Sequence, residues 1–156
     1  MGVAISIQDF LDKNHLDYET IRHAHTGSSL RNALSAHVPG DKVAKSVLLK
    51  DGDGYLLAVL SASRHVHLGR LHKSLKRQVG LATEAEISDI FQDCDTGAVP
   101  PTGLLYDLDT IVDDNLLAQP DIYFEAGDHE QLIHMNRKEF GKLMGVATHI
   151  RFSEFS

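Results

Sequence analysis

Two apolar runs, Val43 to Leu49 and Tyr55 to Leu60, flank Asp51-Gly52-Asp53-Gly54, and no other feature of the 156-residue chain restricts its fold so strongly. Asp and Gly accept the backbone angles of a tight reversal, so the pattern predicts an antiparallel hairpin. Successive side chains of a strand point to opposite faces, which places Val43, Lys45, Val47 and Leu49 on one side. An ammonium group therefore stands on an apolar face. An unpaired charge there is costly, so Lys45 needs an anion, a carbonyl oxygen or a route to water. One reading is an edge-strand lysine whose stem packs while its head reaches solvent. The other is that a ligand is the partner.

About fifty residues downstream comes Gly97-Ala98-Val99-Pro100-Pro101-Thr102-Gly103. Pro100 and Pro101 lack a backbone N–H, fix their own φ and bias the residue before each toward extended geometry. Gly97 and Gly103 permit close approach or positive φ, so the N–H groups of Thr102 and Gly103 are candidates to face a pocket. Such donors suit a carbonyl oxygen or a developing oxyanion. As an isolated heptapeptide the loop is equally an ordinary Pro/Gly turn.

The remaining elements are short. Ile7 to Asn14 patterns as an amphipathic helix, Tyr18 to His23 as a strand, and Ser28 or Ser29 as the cap of a helix reaching His37. Leu68 to Lys76 is a helix candidate, and Thr83-x-x-Glu86 is a capping box for a helix through Ile87, Ile90 and Phe91. Leu104 to Tyr106, Ile111 to Val112, Ile122 to Phe124 and Gln131 to Met135 are strand candidates, and Asn136 with Glu139 caps a helix ending before Gly145. The elements do not alternate regularly, which points to an α/β chain of the α+β kind: a mixed, curved β-sheet with helices packed outside it. Length, 42% hydrophobic and 24% charged content fit one domain over residues 1–156. The amino terminus has no leader pattern and no apolar run approaches ~20 residues, so a cytoplasmic protein without membrane attachment is expected. The single cysteine, Cys94, excludes an internal disulfide, and its neighbours Asp93 and Asp95 disfavour a thiolate.

Ten histidines include His23-x-His25 and His65-x-His67, but no Cys-x-x-Cys, His-Glu-x-x-His or third-ligand spacing accompanies them, so no metal and no other cofactor is expected. Asp107-x-Asp109 and Asp113-Asp114 read as turn caps. The chain carries no nucleophile elbow, dinucleotide fingerprint or P-loop.

Gly97, Pro101 and Gly103 together match a G-x-x-x-P-x-G loop, Ala44-Lys45-Ser46-Val47-Leu48-Leu49 matches a lysine strand, and Phe124-Glu125-Ala126-Gly127-Asp128-His129 matches a strand-to-strand turn with Gly-x-His. In that order the three motifs resemble the YbaK-type aminoacyl-tRNA deacylases, relatives of the editing domain inserted in bacterial prolyl-tRNA synthetases, over roughly Ile7 to Met144. The resemblance implies that editing-domain fold and the hydrolysis in trans of an ester joining a wrong, small amino acid (Ala, Cys, Ser or Thr) to tRNA-Pro or a related tRNA. It implies a catalytic set of Lys45, Gly97, Pro101, Thr102 and Gly103 and a substrate-binding set of Val99, Pro100, His129, Ser28 and Ser46, with a mischarged tRNA and optionally a synthetase as partners. The rivals are a non-catalytic module that binds tRNA or a synthetase and a metal-dependent hydrolase of another small ester.

A net charge of −7 is unusual for a partner of nucleic acid. The segment from Arg64 to Arg77, however, holds five of the fifteen Lys and Arg and no carboxylate, so a positive face is expected there. Arg64, Arg70, Lys73, Lys76 and Arg77 are accordingly the candidate tRNA-binding residues, with Arg70, Lys73 and Arg77 forming a helical stripe. The same stripe also suits a plain solvated helix face.

Overall fold

The computed structural model describes residues 5–22, 39–52, 54–76, 78–92, 101, 103–106, 108–125, 131–145 and 147–155. Helix α1 (Ile5–Lys13) leads into β1 (Glu19–Arg22). The hairpin forms as β2 (Val43–Asp51) and β3 (Gly54–Ser61), entered from a 3₁₀ turn at Gly40–Lys42. Gly52 adopts φ of 63° in the reversal, a conformation that a side chain would strain. Then follow β4 (Arg64–Val66), α2 (Leu68–Leu75), β5 (Gly80–Leu81) and α3 (Glu84–Ile90). The second half contains β6 (Asp109–Asp113), α4 (Asp114–Leu117), β7 (Asp121–Glu125), β8 (Gln131–Asn136), α5 (Arg137–Met144), β9 (Thr148–Ile150) and β10 (Ser153–Phe155).

The main sheet runs β1-β8-β7-β2-β3-β6-β9, with β5 added beside β2. It is mixed: β2/β3, β7/β8 and β1/β8 are antiparallel, whereas β2/β7, β3/β6 and β6/β9 are parallel. A separate two-stranded ribbon joins β4 to β10. On one face of the sheet Ala44, Leu48, Leu57, Val59, Val112, Phe124 and Ile133 pack with Leu11, Phe91, Phe140 and Leu143 from the helices. On the other, Leu49, Leu56, Ala58, Leu60 and Ile111 pack with Leu71 of α2 and Phe152. A single domain with a mixed sheet flanked by helices is thus the observed fold.

The helix starts read from sequence are made by the residues named. Thr83 Oγ1 accepts the Glu86 N–H at 3.2 Å while Glu86 Oε1 accepts the Thr83 N–H at 2.9 Å, closing the capping box. Asn136 Oδ1 accepts the Glu139 N–H at 2.9 Å. The start of α2 was not legible: His67 caps it, its Nδ1 accepting from the Arg70 N–H at 3.1 Å. One element differs in type. Gly103–Tyr106 is a 3₁₀ turn rather than a strand at Leu104 to Tyr106, closed by the Leu108 N–H on the Gly103 carbonyl at 2.9 Å. The helix expected to reach His37 lies outside the described residues.

His134 ties three strands together. Its Nδ1 bonds the Glu19 carboxylate of β1, its Nε2 lies 2.9 Å from Asp121 Oδ1 of β7, and its ring stacks on Tyr123 at 4.5 Å between centroids. Burial, the largest single influence, lowers the imidazole pKa, but the bonds to Asp121 and Glu19 and their charges together outweigh it and leave it raised above 6.5. A raised folded-state value adds stability in full below the ordinary value and loses it as pH climbs through the raised one. His134→Gln should therefore lower Tm more at about pH 5.5 than at about pH 9. Equal losses at both pH values in thermal melts would contradict this linkage.

Candidate active site

One edge of β2 is paired with β3 continuously from Ala44 to Asp51. On its other edge β7 pairs only with Val43 and Ala44, and β5 only with Leu49 and Lys50. Between them, at Lys45, Ser46 and Val47, the sheet parts, and no described strand occupies that edge. The cause is local: β7 ends at Glu125, and β5 is two residues long. Every backbone amide and carbonyl on such an edge needs a partner, so an unpaired strip within a sheet is a place for another chain segment or a ligand.

Lys45 stands at this parting. It lies opposite Leu60, on the face that Val47 and Leu49 share. Half-buried, it makes no ion pair or hydrogen bond among the described residues, and burial lowers its pKa below 10.5. Ser46 faces the opposite way, between Ala44 and Leu48 on the main core side, opposite Val59. Its Oγ is buried without a hydrogen-bond partner. The two adjacent residues therefore present their polar groups to different faces at the same gap.

A cross-strand row passes through Lys45. Ala44 pairs with Phe124, so the next residue of β7, Glu125, comes alongside Lys45, and Glu125 in turn is opposite Leu132. Val59 pairs with Val112, so Asp113 comes alongside Leu60 on the far side. Glu125 is almost wholly buried. Its place beside Lys45 depends on a parallel pairing of distant segments and carries no local signal in the sequence.

Of the proline-glycine loop, Pro101 and Gly103 are described and Gly97, Val99, Pro100 and Thr102 are not; Ser28, His129 and Arg77 also lie outside the described residues. Gly103 does not have positive φ. Its lack of a side chain has another cause: a Cβ there would stand 1.9 Å from Thr110 Oγ1 and 3.0 Å from the Leu108 carbonyl oxygen. The close neighbour of Gly103 is thus β6. Pro101 and Gly103 line a cleft of about 340 Å³ with Leu56, Thr110, Leu143 and Thr148. Leu56 lies four residues along β3 from Leu60, so this cleft opens roughly 13 Å from the Lys45 row. Among the described residues, the cleft that Pro101 and Gly103 line does not include Lys45.

The basic residues are more clearly sorted. Arg70, Lys73 and Lys76 are exposed, with Leu71 on the buried side of α2. Arg64 donates from Nε to Ser153 Oγ at 2.7 Å and from a terminal nitrogen to the Ser153 carbonyl at 3.2 Å. His65 and His67 share Glu154, at 2.7 and 3.8 Å, which holds that carboxyl below its ordinary range chiefly through the His65 bond. Among the described residues no three His, Cys, Asp or Glu side chains gather as metal ligands, and no helix is long and apolar enough to cross a membrane.

Comparison with known proteins adds to this geometry. The model of the family described as aminoacyl-tRNA editing domain matches residues 23–143. No curated protein matches the chain. Among solved structures it is similar to hypothetical protein APE2540, with a TM-score of 0.84 and 19% identity over 96% of this chain and 99% of that one. It is similar as well to a proposed trans-editing enzyme for prolyl-tRNA synthetase, with a TM-score of 0.80 and 22% identity over 97% and 96% of the two chains. A proposed signal transduction protein from Marinobacter aquaeolei VT8 gives a TM-score of 0.80 and 19% identity over 97% of this chain but 31% of that one. At such identities the likeness to these structures is one of fold.

The glycine at 103 yields a prediction about packing. Gly103→Ala should destabilise the protein by about 1–3 kcal/mol through overpacking against β6, and Thr110→Ala in the same chain should recover part of the loss. Chemical denaturation checks both. An unchanged midpoint in Gly103→Ala would show that β6 does not require the glycine.

Proposed function

The chain belongs to the aminoacyl-tRNA editing domain family, and from that membership we propose that it hydrolyses the ester of a mischarged aminoacyl-tRNA, acting in trans. The family match supports the substrate class. Near-complete mutual coverage with a proposed trans-editing enzyme for prolyl-tRNA synthetase supports a domain that works apart from a synthetase, with tRNA-Pro or a related tRNA as carrier. The observation that carries the reading is Lys45, a half-buried ammonium with no ion pair or hydrogen bond among the described residues, at a parting of the central sheet.

An aminoacyl ester is already activated toward water, so the protein needs to hold it and stabilise charge. Water adds to the acyl carbon, the carbonyl oxygen takes up negative charge, and collapse releases the amino acid while the ribose oxygen leaves as a hydroxyl. In this proposal the Lys45 ammonium binds the terminal backbone or the carbonyl oxygen of the substrate. Backbone donors earlier in the 97–103 loop, with Thr102 as the first candidate, complete the cradle in this proposal, whereas Gly103 packs against β6; Val99, Pro100, Ser28 and His129 belong to its substrate side. Ser46 enters from the opposite face of β2 and acts through the strand. Because each methylene in a small pocket is worth only about 1–3 kcal/mol, a small acyl group such as Ala, Cys, Ser or Thr is the class to test.

The test is single-turnover hydrolysis of alanyl-, cysteinyl-, seryl- and threonyl-tRNAs by wild type and Lys45→Met. Wild type should deacylate at least one of them, and the variant, which keeps the packing stem but lacks the charge, should lose about 10²-fold in rate at unchanged or raised Tm. Full activity in Lys45→Met would remove the lysine from the mechanism, and no hydrolysis of any member by wild type would reject the proposal.

A further inference from the structure

The row of side chains that crosses the sheet at the parting of β2 carries two opposite charges on neighbouring strands. Val43 and Ala44 pair in parallel with Tyr123 and Phe124, so Lys45 and Glu125 come next to each other, with backbones about 4.8 Å apart. Ala44 and Phe124 belong to the main core, which turns Lys45 and Glu125 together to the opposite face. The flanking residues of the row, Leu60 and Leu132, are fully buried and apolar. Asp113, beyond Leu60, is taken up by the amides of Phe152 and Ser153 and by the Ser153 hydroxyl. Lys45 and Glu125 are therefore the polar pair that this row brings to the gap.

Opposite charges at facing positions of adjacent strands ordinarily close on each other. These do not. Lys45 makes no ion pair or hydrogen bond among the described residues, and burial is what lowers its pKa, so the ammonium and the carboxylate are held apart. Glu125 is 1% exposed and has an interaction of its own. A carboxylate offers about four acceptor positions, which leaves capacity for a further donor beside that interaction. A group that fits such a pair carries a cation and an acceptor oxygen on neighbouring carbons. An α-aminoacyl ester is built in that way, with the ammonium on the α-carbon and the carbonyl oxygen on the next.

We propose that Glu125 binds the α-ammonium of the aminoacyl group while Lys45 takes its carbonyl oxygen. The inference rests on the editing reading for the ester, and it narrows the substrate class to acyl groups with a free α-amine. An ammonium brings a buried carboxylate the positive charge that favours its ionised form. A hydroxyl or an acylated nitrogen brings none, and the carboxylate is then desolvated against a neutral group. Glu125 on this account is a specificity residue, and N-acylated esters such as a peptidyl chain are rejected.

The probes are 3′-deoxy-3′-(alanylamino)adenosine, whose amide replaces the labile ester, and its lactylamino counterpart, in which a hydroxyl of similar size replaces the ammonium. Binding of each to wild type, Glu125→Gln and Glu125→Asp is measured by calorimetry near neutral pH. Wild type should prefer the alanyl compound about 10- to 100-fold, the range of a charge-assisted hydrogen bond, and Glu125→Gln should bring the two affinities within about twofold of each other. Glu125→Asp, which keeps the charge on a shorter stem, should retain a reduced preference. A merely structural role would weaken both compounds alike and leave the preference intact. An intact preference in a folded Glu125→Gln would thus overturn the inference, as would a wild type that binds both compounds equally or neither. If Glu125→Gln does not fold, Glu125→Asp decides: a reduced preference upholds the inference and an undiminished one overturns it. Deacylation of alanyl-tRNA by a wild type without the preference would keep the editing reading and reject this one. A preference that Glu125→Gln erases, in a protein that deacylates nothing, would uphold Glu125 and reject editing.

Discussion

A central strand whose second edge is paired only at its ends is the constraint on which the rest of this structure depends. With β3 occupying one edge of β2 throughout, the strand is anchored in the core and cannot move away to satisfy the other edge. β7 leaves after two pairs and β5 arrives five residues later. What lies between is a strip of backbone with Lys45 on one face and Ser46 on the other. A lysine in an unbroken strand at that depth would be a defect; at a parting it has an outlet, and the gap has a charge to offer.

The acidic balance of the chain is compatible with an anionic partner because many carboxylates are engaged internally. Asp113 is surrounded by amides and a hydroxyl of the 152–153 segment. Glu139 accepts the Asp17 N–H and the Lys142 ammonium. Glu86 closes the α3 cap, bonds the Tyr55 hydroxyl and pairs with Lys50, and these contacts hold its pKa down to about 2, the Thr83 N–H contributing most. Net charge counts such groups equally with exposed ones, but each is committed to a donor of the fold.

How legible this was from sequence follows the range of each interaction. The hairpin and the helix caps at Thr83 and Asn136 rest on residues within a few positions of each other, and they stand where the patterns put them. The parallel pairs β2/β7 and β3/β6 join distant segments, and nothing local encodes them. Leu104 to Tyr106 is apolar without alternation, a composition that does not separate a strand from a 3₁₀ turn; packing beside β6 decides it. The three-residue strands β9 and β10 and the four-residue α4 are too short to show a period. At the site, Lys45 was visible because a charge interrupts an apolar face. Glu125 was not, since it comes beside Lys45 only when β2 pairs with β7. Gly103 was expected to permit positive φ or close approach at a pocket; it has no positive φ, and the described neighbour that leaves no room for a Cβ there is Thr110.

The central claim is that Lys45, which has no acceptor among the described residues, is kept so that a substrate can supply one. The most direct test is an NMR titration of the Lys45 side chain, alone and with a non-hydrolysable aminoacyl-adenosine. Burial predicts a midpoint below 10.5 in the free protein, and an acceptor for the ammonium predicts that the bound midpoint rises, because a hydrogen bond to the charged form favours it. An ordinary midpoint that the ligand leaves unmoved would contradict the account.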